Sequence, residues 1–151
     1  MTRCGIGPKF SIITVLYGVA ASCTTYYHPG FFLIRSIPFW FLVSIGTILL
    51  AVGLFIYLVS LKVFNAGYKK GRLVTEGPFS IVRHPIYASW ILLVYPGLAC
   101  FFRSWLMFGA PLVAFIFFKI FIHEEEKHLA KKFGRSYQTY RENVNQLFPF
   151  P

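Results

Sequence analysis

The chain has 151 residues, of which 56% are hydrophobic and only 13% are charged. A typical soluble domain has about twice that charged fraction, so the composition argues against an ordinary soluble protein and favours a single membrane domain. The net charge is +10 and the chain contains no Asp, but no basic–aromatic RNA motif accompanies the excess. We therefore expect an anionic membrane surface as partner and no nucleic acid.

Four apolar segments predict an all-α, integral-membrane bundle of about four transmembrane helices within a single domain, residues 1–151. Each segment is close to the length needed to cross about 30 Å of hydrocarbon. Gly46 and Gly53 predict close helix contact in the second span, and Pro96 predicts a kink in the third. The predicted spans are 10–27, 38–61, 85–102 and 104–122.

The first span follows a short basic start, a combination that also resembles a signal peptide. Because the segments that follow are themselves membrane-like, we expect this span to be retained. Cys4, Cys23 and Cys100 match neither a disulfide framework nor a zinc site. We interpret Cys23 and Cys100, which lie in apolar segments, as small core residues.

Two polar segments, residues 65–87 and 123–150, lie outside the spans, and the second is expected to form amphipathic helices. Two Lys or Arg residues precede the first span, five lie between the second and third spans, and six lie from Lys119 onward. By contrast, the connections between spans one and two and between spans three and four have only one each. The positive-inside rule then places both termini and both polar segments in the cytoplasm.

The central polar segment ends in a group of residues suited to binding an anion. The residue before a proline avoids helical geometry, so His84 is expected to break the chain direction and Pro85 to open the third span. The free N–H groups and dipole of that helix start suit a carboxylate. Arg83 and His84 add donors, and Tyr87 lies near enough to contact a ligand. The alternative is a basic interfacial loop that binds phospholipid headgroups.

The second polar segment begins with Glu124, Glu125 and Glu126. Three carboxylates at a membrane exit are costly if they stay unpaired. For Glu124 we expect pairing with nearby lysines on a solvated helix. For Glu125 and Glu126, a bound cation or the hydroxyl groups of a ligand compete with that interpretation.

Two further patterns complete the second segment. His123 and His128 are five residues apart and do not share a helix face, so the segment is not a zinc-protease helix and no metal site is predicted. Gly134 predicts the end of a helix. Tyr137 and Tyr140 have the spacing for one face of a following helix.

Together, the two segments resemble the isoprenylcysteine carboxyl methyltransferases and the related phospholipid methyltransferases, over about residues 38–150. The resemblance implies a helical membrane methyltransferase that uses S-adenosylmethionine and acts on a lipid-like or prenylated acceptor through a carboxylate, amine or thiol. The matching patterns are Leu73-x-Thr75-x-Gly77-Pro78-Phe79, Arg83-His84-Pro85-x-Tyr87, Glu125-Glu126-x-x-Leu129 and Phe133-Gly134-x-x-Tyr137-x-x-Tyr140.

The resemblance also implies a set of cofactor contacts. They fall on Gly71, Arg72, Leu73, Val74, Phe79, His84, Pro85, Ile86, Tyr87 and Glu125. It does not fix a catalytic residue, for which Arg83 and Glu126 are the candidates.

The sequence departs from the family pattern in its second half. Phe121 stands where the isoprenylcysteine enzymes have an arginine that engages the substrate, with Lys119 two residues away. The closing segment, residues 144–149, lacks the Pro-Arg expected after its valine, and Phe79 stands where tyrosine is common. These departures leave the methyl-donor pocket largely intact and weaken the case for a prenylcysteine carboxylate as acceptor.

Two other functions are compatible with the sequence. A non-catalytic membrane protein would bind anionic lipid through the basic cytoplasmic face, but it would leave Glu125 and Glu126 without a purpose. A sterol-type reductase resembles the family in its C-terminal helices and would require NADPH. Nothing in the sequence indicates the oligomeric state.

Overall fold

The computed structural model describes residues 7–149, apart from the side chains of Pro8 and Lys9, so that Arg3 and Cys4 lie outside the described residues. Helices account for most of the described chain, and no β-strand is found within it, which confirms the all-α prediction. The helices are α1 (Gly7–Tyr27), α2 (Pro29–Phe32), α3 (Phe39–Lys69), α4 (Pro85–Ser89), α5 (Tyr95–Phe102), α6 (Ala110–Phe133) and α7 (Arg135–Asn143).

Four helical stretches of the described chain are long and apolar enough to cross a membrane: Phe10–Tyr27, Phe39–Lys69, Pro85–Phe102 and Met107–Phe133. The predicted integral-membrane bundle is confirmed. Two helices are longer than their predicted spans. Helix α3 ends at Lys69 rather than at the predicted residue 61, and α6 ends at Phe133 rather than at the predicted residue 122. At 1.5 Å per residue the 31 residues of α3 extend about 46 Å, so its polar end projects beyond about 30 Å of hydrocarbon.

Glycines allow α3 to pack closely against the third span. A methyl group on Gly46 would lie 2.9 Å from the carbonyl oxygen of Gly97, and one on Gly53 would lie 2.9 Å from the side chain of Val94. Only a residue without a side chain permits this approach, as expected for helices packed inside a membrane. The close contact predicted for Gly46 and Gly53 is therefore confirmed.

The third span is not a uniform helix. A π-helical segment, Trp90–Val94, joins α4 to α5, and the N–H of Tyr95 bonds to the carbonyl of Trp90. Pro96 lies directly after this segment. A proline has no N–H and clashes with the preceding turn, and a π-helical turn is one way of relieving that clash.

Helix α1 packs against α6 and leaves much of its apolar surface exposed. Cys100 is buried as predicted, whereas the prediction of a core position for Cys23 is wrong because its side chain is exposed. A helix that is apolar on all sides gives no sequence signal for the face that packs inward. Cys23 is exposed because it lies on a face of α1 that does not pack against α6 or the other helices.

Candidate active site

The end of the central polar segment is held by hydrogen bonds to the closing segment, residues 144–149, which is called the C-terminal segment below. His84 precedes α4 with φ −126° and ψ 61°, outside helical geometry, as expected for the residue before Pro85. Its N–H donates to the carbonyl of Gln146 at 3.0 Å, and the N–H of Arg83 donates to the carbonyl of Asn145 at 2.7 Å. Of these two groups, the N–H of His84 belongs to the residue that caps α4 and has no partner within that helix.

Glu126 lies at the centre of a buried polar cluster. Its Oε1 atom is 3.1 Å from Nη2 of Arg83, 3.3 Å from Nε2 of His84, and 3.0 Å from the donating Nε2 of Gln146. The side chains of Arg83 and Glu126 are only 8% and 6% exposed, so this ion pair has little screening by water. The two candidate catalytic residues are thus bound to each other.

Glu125 lies beside this cluster and is more accessible, with a side chain that is 18% exposed. Its Oε1 atom is 3.9 Å from Nδ1 of His84, and its Oε2 atom accepts a hydrogen bond from the Tyr87 hydroxyl at 3.1 Å. The structure therefore brings His84, Tyr87 and Glu125 together, although they belong to the two separate segments.

Aromatic rings enclose the membrane side of the cluster. The ring of Phe118, a fully buried residue of α6, lies 5.7 Å from the His84 ring and 5.4 Å from the Tyr87 ring, measured between centroids. The Phe10 ring also meets the Tyr87 ring edge-on, with centroids 5.7 Å apart. These rings keep water away from the buried polar groups and fix the orientation of the imidazole and the phenol.

Helix α7 supports the cluster from the polar side. The Tyr140 hydroxyl donates to the carbonyl of Phe79, and Nη1 of Arg83 donates to the carbonyl of Arg141 at 2.7 Å. Burial raises the pKa of Tyr137 to about 12, and the negative charge of Glu126 adds to this shift. Gly134, with φ 53°, ends α6 as predicted and turns the chain into α7.

The other predicted cofactor residues lie in different settings, and for those of the loop after α3 no contact with the cluster is found among the described residues. Gly71, Arg72, Leu73 and Val74 form the loop after α3, where Arg72 pairs with Glu76 and both side chains are about half exposed. The buried ring of Phe79 stacks near that of Phe64, with centroids 6.4 Å apart. Pro85 is buried at the start of α4 and Ile86 is half-buried. Contact of these residues with a cofactor stays a prediction.

Gln146 is the polar contact that sequence reasoning missed. Its side chain joins two parts of α6, because Nε2 donates to Glu126 and Oε1 accepts from Nζ of Lys119. The only signal in the sequence was the unusual closing segment. Within residues 7–149, no group of three or more described His, Cys, Asp or Glu side chains is placed to hold a metal ion.

Comparison with known proteins places this arrangement in context. The family model described as phospholipid methyltransferase matches residues 39–136, well over half of the chain. This range contains Arg83, His84, Tyr87, Glu125 and Glu126, and thus most of the cluster.

Three curated relatives illustrate the similarity. A probable protein-S-isoprenylcysteine O-methyltransferase of Oryza sativa subsp. indica is 26% identical over 123 residues, covering 74% of this chain and 63% of the relative. A methanethiol S-methyltransferase of Crocosphaera subtropica is 28% identical over 131 residues, covering 78% and 49%. A protein-S-isoprenylcysteine O-methyltransferase of Xenopus laevis is 33% identical over 78 residues, covering 52% and 27%. The matches thus span less than two thirds of each relative.

Proposed function

The chain belongs to the phospholipid methyltransferase family, and on that basis we propose that it is a membrane-embedded, S-adenosylmethionine-dependent methyltransferase. The acceptor would be lipid-like or prenylated, and would be methylated on a carboxylate, amine or thiol. The observation that carries the proposal is the convergence of His84, Tyr87 and Glu125, from segments separated by a membrane hairpin.

The residues present fit the proposed cofactor chemically. S-adenosylmethionine has ribose hydroxyls and an ammonium group, which suit the partly accessible carboxylate of Glu125. Its carboxylate suits the start of α4 at Pro85, beside the imidazole of His84. Its adenine suits an aromatic neighbour such as Phe79 or Tyr87. When bound, the cofactor supplies a methyl group that is already activated by its sulfonium.

The protein's own residues then have binding and positioning roles. We propose that Glu125 holds the cofactor and that Tyr87 orients this carboxylate through its hydroxyl. Glu126 pairs with Arg83 and also contacts the imidazole of His84. This buried ion pair thereby fixes the orientation of the imidazole. Methyl transfer chiefly requires aligned reactants and the exclusion of water, and the ring of Phe118 contributes to the latter. A carboxylate or thiolate acceptor would need no general base.

The relatives leave the acceptor open, since their names include both a prenylated-protein O-methyltransferase and a methanethiol S-methyltransferase. We propose that the acceptor reaches the cluster from the membrane, and that both polar segments face the cytoplasm, from which the cofactor enters. The four candidate spans found within the described residues are compatible with this orientation, because two of them separate the two polar segments.

The test is mass spectrometry of a membrane lipid extract, and in parallel of small thiols, after incubation with the full-length protein and a methyl-labelled donor. We expect the label in one acceptor class, with little transfer by the Glu125→Gln variant. A protein that binds the donor but labels neither class would contradict the proposed enzymatic function.

A further inference from the structure

A groove of about 280 Å³ lies beside the cluster, between α6 and the C-terminal segment. It shares only Arg83 and Gln146 with the cluster, and Glu125 is not among the residues that line it. The residues that line it are Arg83, Lys119, Asn145, Gln146, Leu147 and Phe148. This lining contains two cations, two amide residues and no carboxylate. Because Arg83 is paired with Glu126 behind the groove, the uncompensated positive charge is that of Lys119, and it favours an anion.

Lys119 is the one charged residue of the apolar part of α6, residues 110–122. Its Nζ atom donates to Oε1 of Gln146 and lies 5.7 Å from the centroid of the Phe115 ring. An ammonium group has three donors, and the side chain is exposed, so Lys119 keeps donors available for a ligand. Its position near the end of the apolar run suits the boundary between hydrocarbon and headgroups.

Arg83 provides a second, deeper cation. The residue is more than nine-tenths buried, and its two terminal nitrogens are engaged by Glu126 and by the carbonyl of Arg141. Its Nε atom is buried without a hydrogen-bond partner among the described residues. A buried donor that lacks a partner is unfavourable. Because Arg83 also lines the groove, an anionic oxygen bound there would be the nearest new partner for its guanidinium.

Part of the groove lining is apolar, formed by Leu147 and Phe148. Phe148 is about half exposed, and its ring centroid lies 6.4 Å from that of Phe115. A ligand that matches the whole groove therefore has an anionic group for the two cations and an apolar portion for Leu147 and the ring of Phe148.

We propose that this groove is a binding site for the anionic headgroup of a membrane amphiphile, with a phosphate or carboxylate between Lys119 and Arg83. The site is distinct from the cofactor contacts at His84, Tyr87 and Glu125, and the proposal does not depend on methyl transfer.

The experiment is native mass spectrometry of the detergent-solubilised full chain, titrated with phosphatidylglycerol or with phosphatidylcholine. We expect preferential retention of phosphatidylglycerol, and about fivefold weaker retention by the Lys119→Gln variant, the effect of removing one cation from a membrane surface. Glutamine still offers a donor to Gln146, so the variant should fold. The matched control is Lys131→Gln, which removes an exposed lysine from the other end of α6 and should retain the lipid like the wild type.

Equal retention of the two lipids, or equal effects of Lys119→Gln and Lys131→Gln, would overturn the proposal. Competition with inorganic phosphate tests whether the ligand is an amphiphile or a free anion. Displacement of the lipid by phosphate at equal concentration would contradict binding of an amphiphile, whereas failure of phosphate to compete would support it. Cofactor affinity, measured on the same samples, should be unchanged in Lys119→Gln. A failure of this proposal is thus distinguishable from a failure of the proposed enzyme.

Discussion

Nε2 of His84 lies 3.3 Å from Oε1 of Glu126, although 42 residues separate the two in the chain and both side chains are almost fully buried. The same carboxylate oxygen contacts Arg83 and Gln146. Oε1 of Glu126, on α6, therefore contacts residues at the start of the third span and in the C-terminal segment at the same time. The stability of the site depends on this junction.

Replacing Glu126 with alanine should destabilise the protein strongly. Removing one member of a buried ion pair leaves an uncompensated charge, here on Arg83, and such changes lower the free energy of unfolding by about 3–5 kcal/mol. Glu76→Ala is the matched control, because Glu76 pairs with Arg72 where both side chains are about half exposed. An exposed pair contributes about 0–1 kcal/mol.

Both variants can be compared by chemical unfolding in detergent. If Glu126→Ala lowered the free energy of unfolding no more than Glu76→Ala, the buried ion pair of Arg83 and Glu126 would not be what stabilises the site.

Removing the Tyr87 hydroxyl should weaken cofactor binding more than folding. Tyr87→Phe keeps the ring contacts with Phe10 and Phe118 but loses the hydrogen bond to Glu125, leaving that carboxylate less well oriented. A hydrogen bond to a charged group contributes about 1.5–3 kcal/mol, so the affinity for S-adenosylmethionine should fall about tenfold or more.

Tyr17→Phe provides the control for Tyr87→Phe. The Tyr17 hydroxyl donates to the carbonyl of Leu106, in the connection before α6 and away from the cluster. Its loss should lower thermal stability slightly and leave cofactor affinity unchanged. If calorimetry gave both variants the same affinity for the cofactor, the orienting role of Tyr87 would be excluded.

Stability at high pH should depend on Tyr137. Its folded pKa is raised to about 12 by burial, above the ordinary value of 10.0, so between these values the unfolded chain loses the proton first. The free energy of unfolding is therefore unaffected by this group below pH 10, where Tyr137 is neutral in both states, and it falls as the pH rises towards 12. Tyr137→Phe should flatten that part of the stability curve.

At neutral pH, Tyr137→Phe should leave stability unchanged or raise it, because the hydroxyl is buried without a hydrogen-bond partner among the described residues. The exposed Tyr26 gives a control variant, Tyr26→Phe, that should keep the pH dependence of the wild type. Thermal unfolding should be measured from pH 9 to 12. If Tyr137→Phe lost as much stability as the wild type over this range, the raised pKa of Tyr137 would not be the cause.

The turn at Gly134 should tolerate no side chain. Its φ of 53° and ψ of −127° lie in a region that L-residues rarely adopt, and such strain amounts to about 1–3 kcal/mol. Gly134→Ala should therefore lower the melting temperature and displace α7, which supplies the contacts of Tyr140 and Arg141. Gly30→Ala is the control, since a methyl group there meets nothing within 4 Å and no positive φ is required. Equal melting temperatures of the two variants would contradict this reasoning.

The sequence was sufficient to predict the four spans, the break at His84 and the stop at Gly134, because hydrophobic length and the backbone preferences of proline and glycine are local properties. It also predicted the two polar segments that meet. It could not predict that Glu126 pairs with Arg83, nor that Gln146 bonds to the same carboxylate. Those contacts depend on how α6 is rotated and on where the C-terminal segment returns.

The extension of α3 to Lys69 shows a second limit of sequence reasoning. Hydropathy marks the part of a helix that is in the membrane, and the polar residues from Asn65 onward end the apolar run without ending the helix. The exposed position of Cys23 shows the same limit, since composition does not reveal which side of an apolar helix is packed.

The most direct measurement is titration calorimetry of S-adenosylmethionine with the purified wild type, His84→Ala, Glu125→Gln and, as a matched control one residue away, Glu124→Gln. The account predicts that the wild type and Glu124→Gln bind alike, that His84→Ala and Glu125→Gln bind at least about tenfold more weakly, as expected when a charge-assisted contact is lost, and that NADPH does not compete. Unchanged affinity in both His84→Ala and Glu125→Gln, or no binding by the wild type, would contradict it.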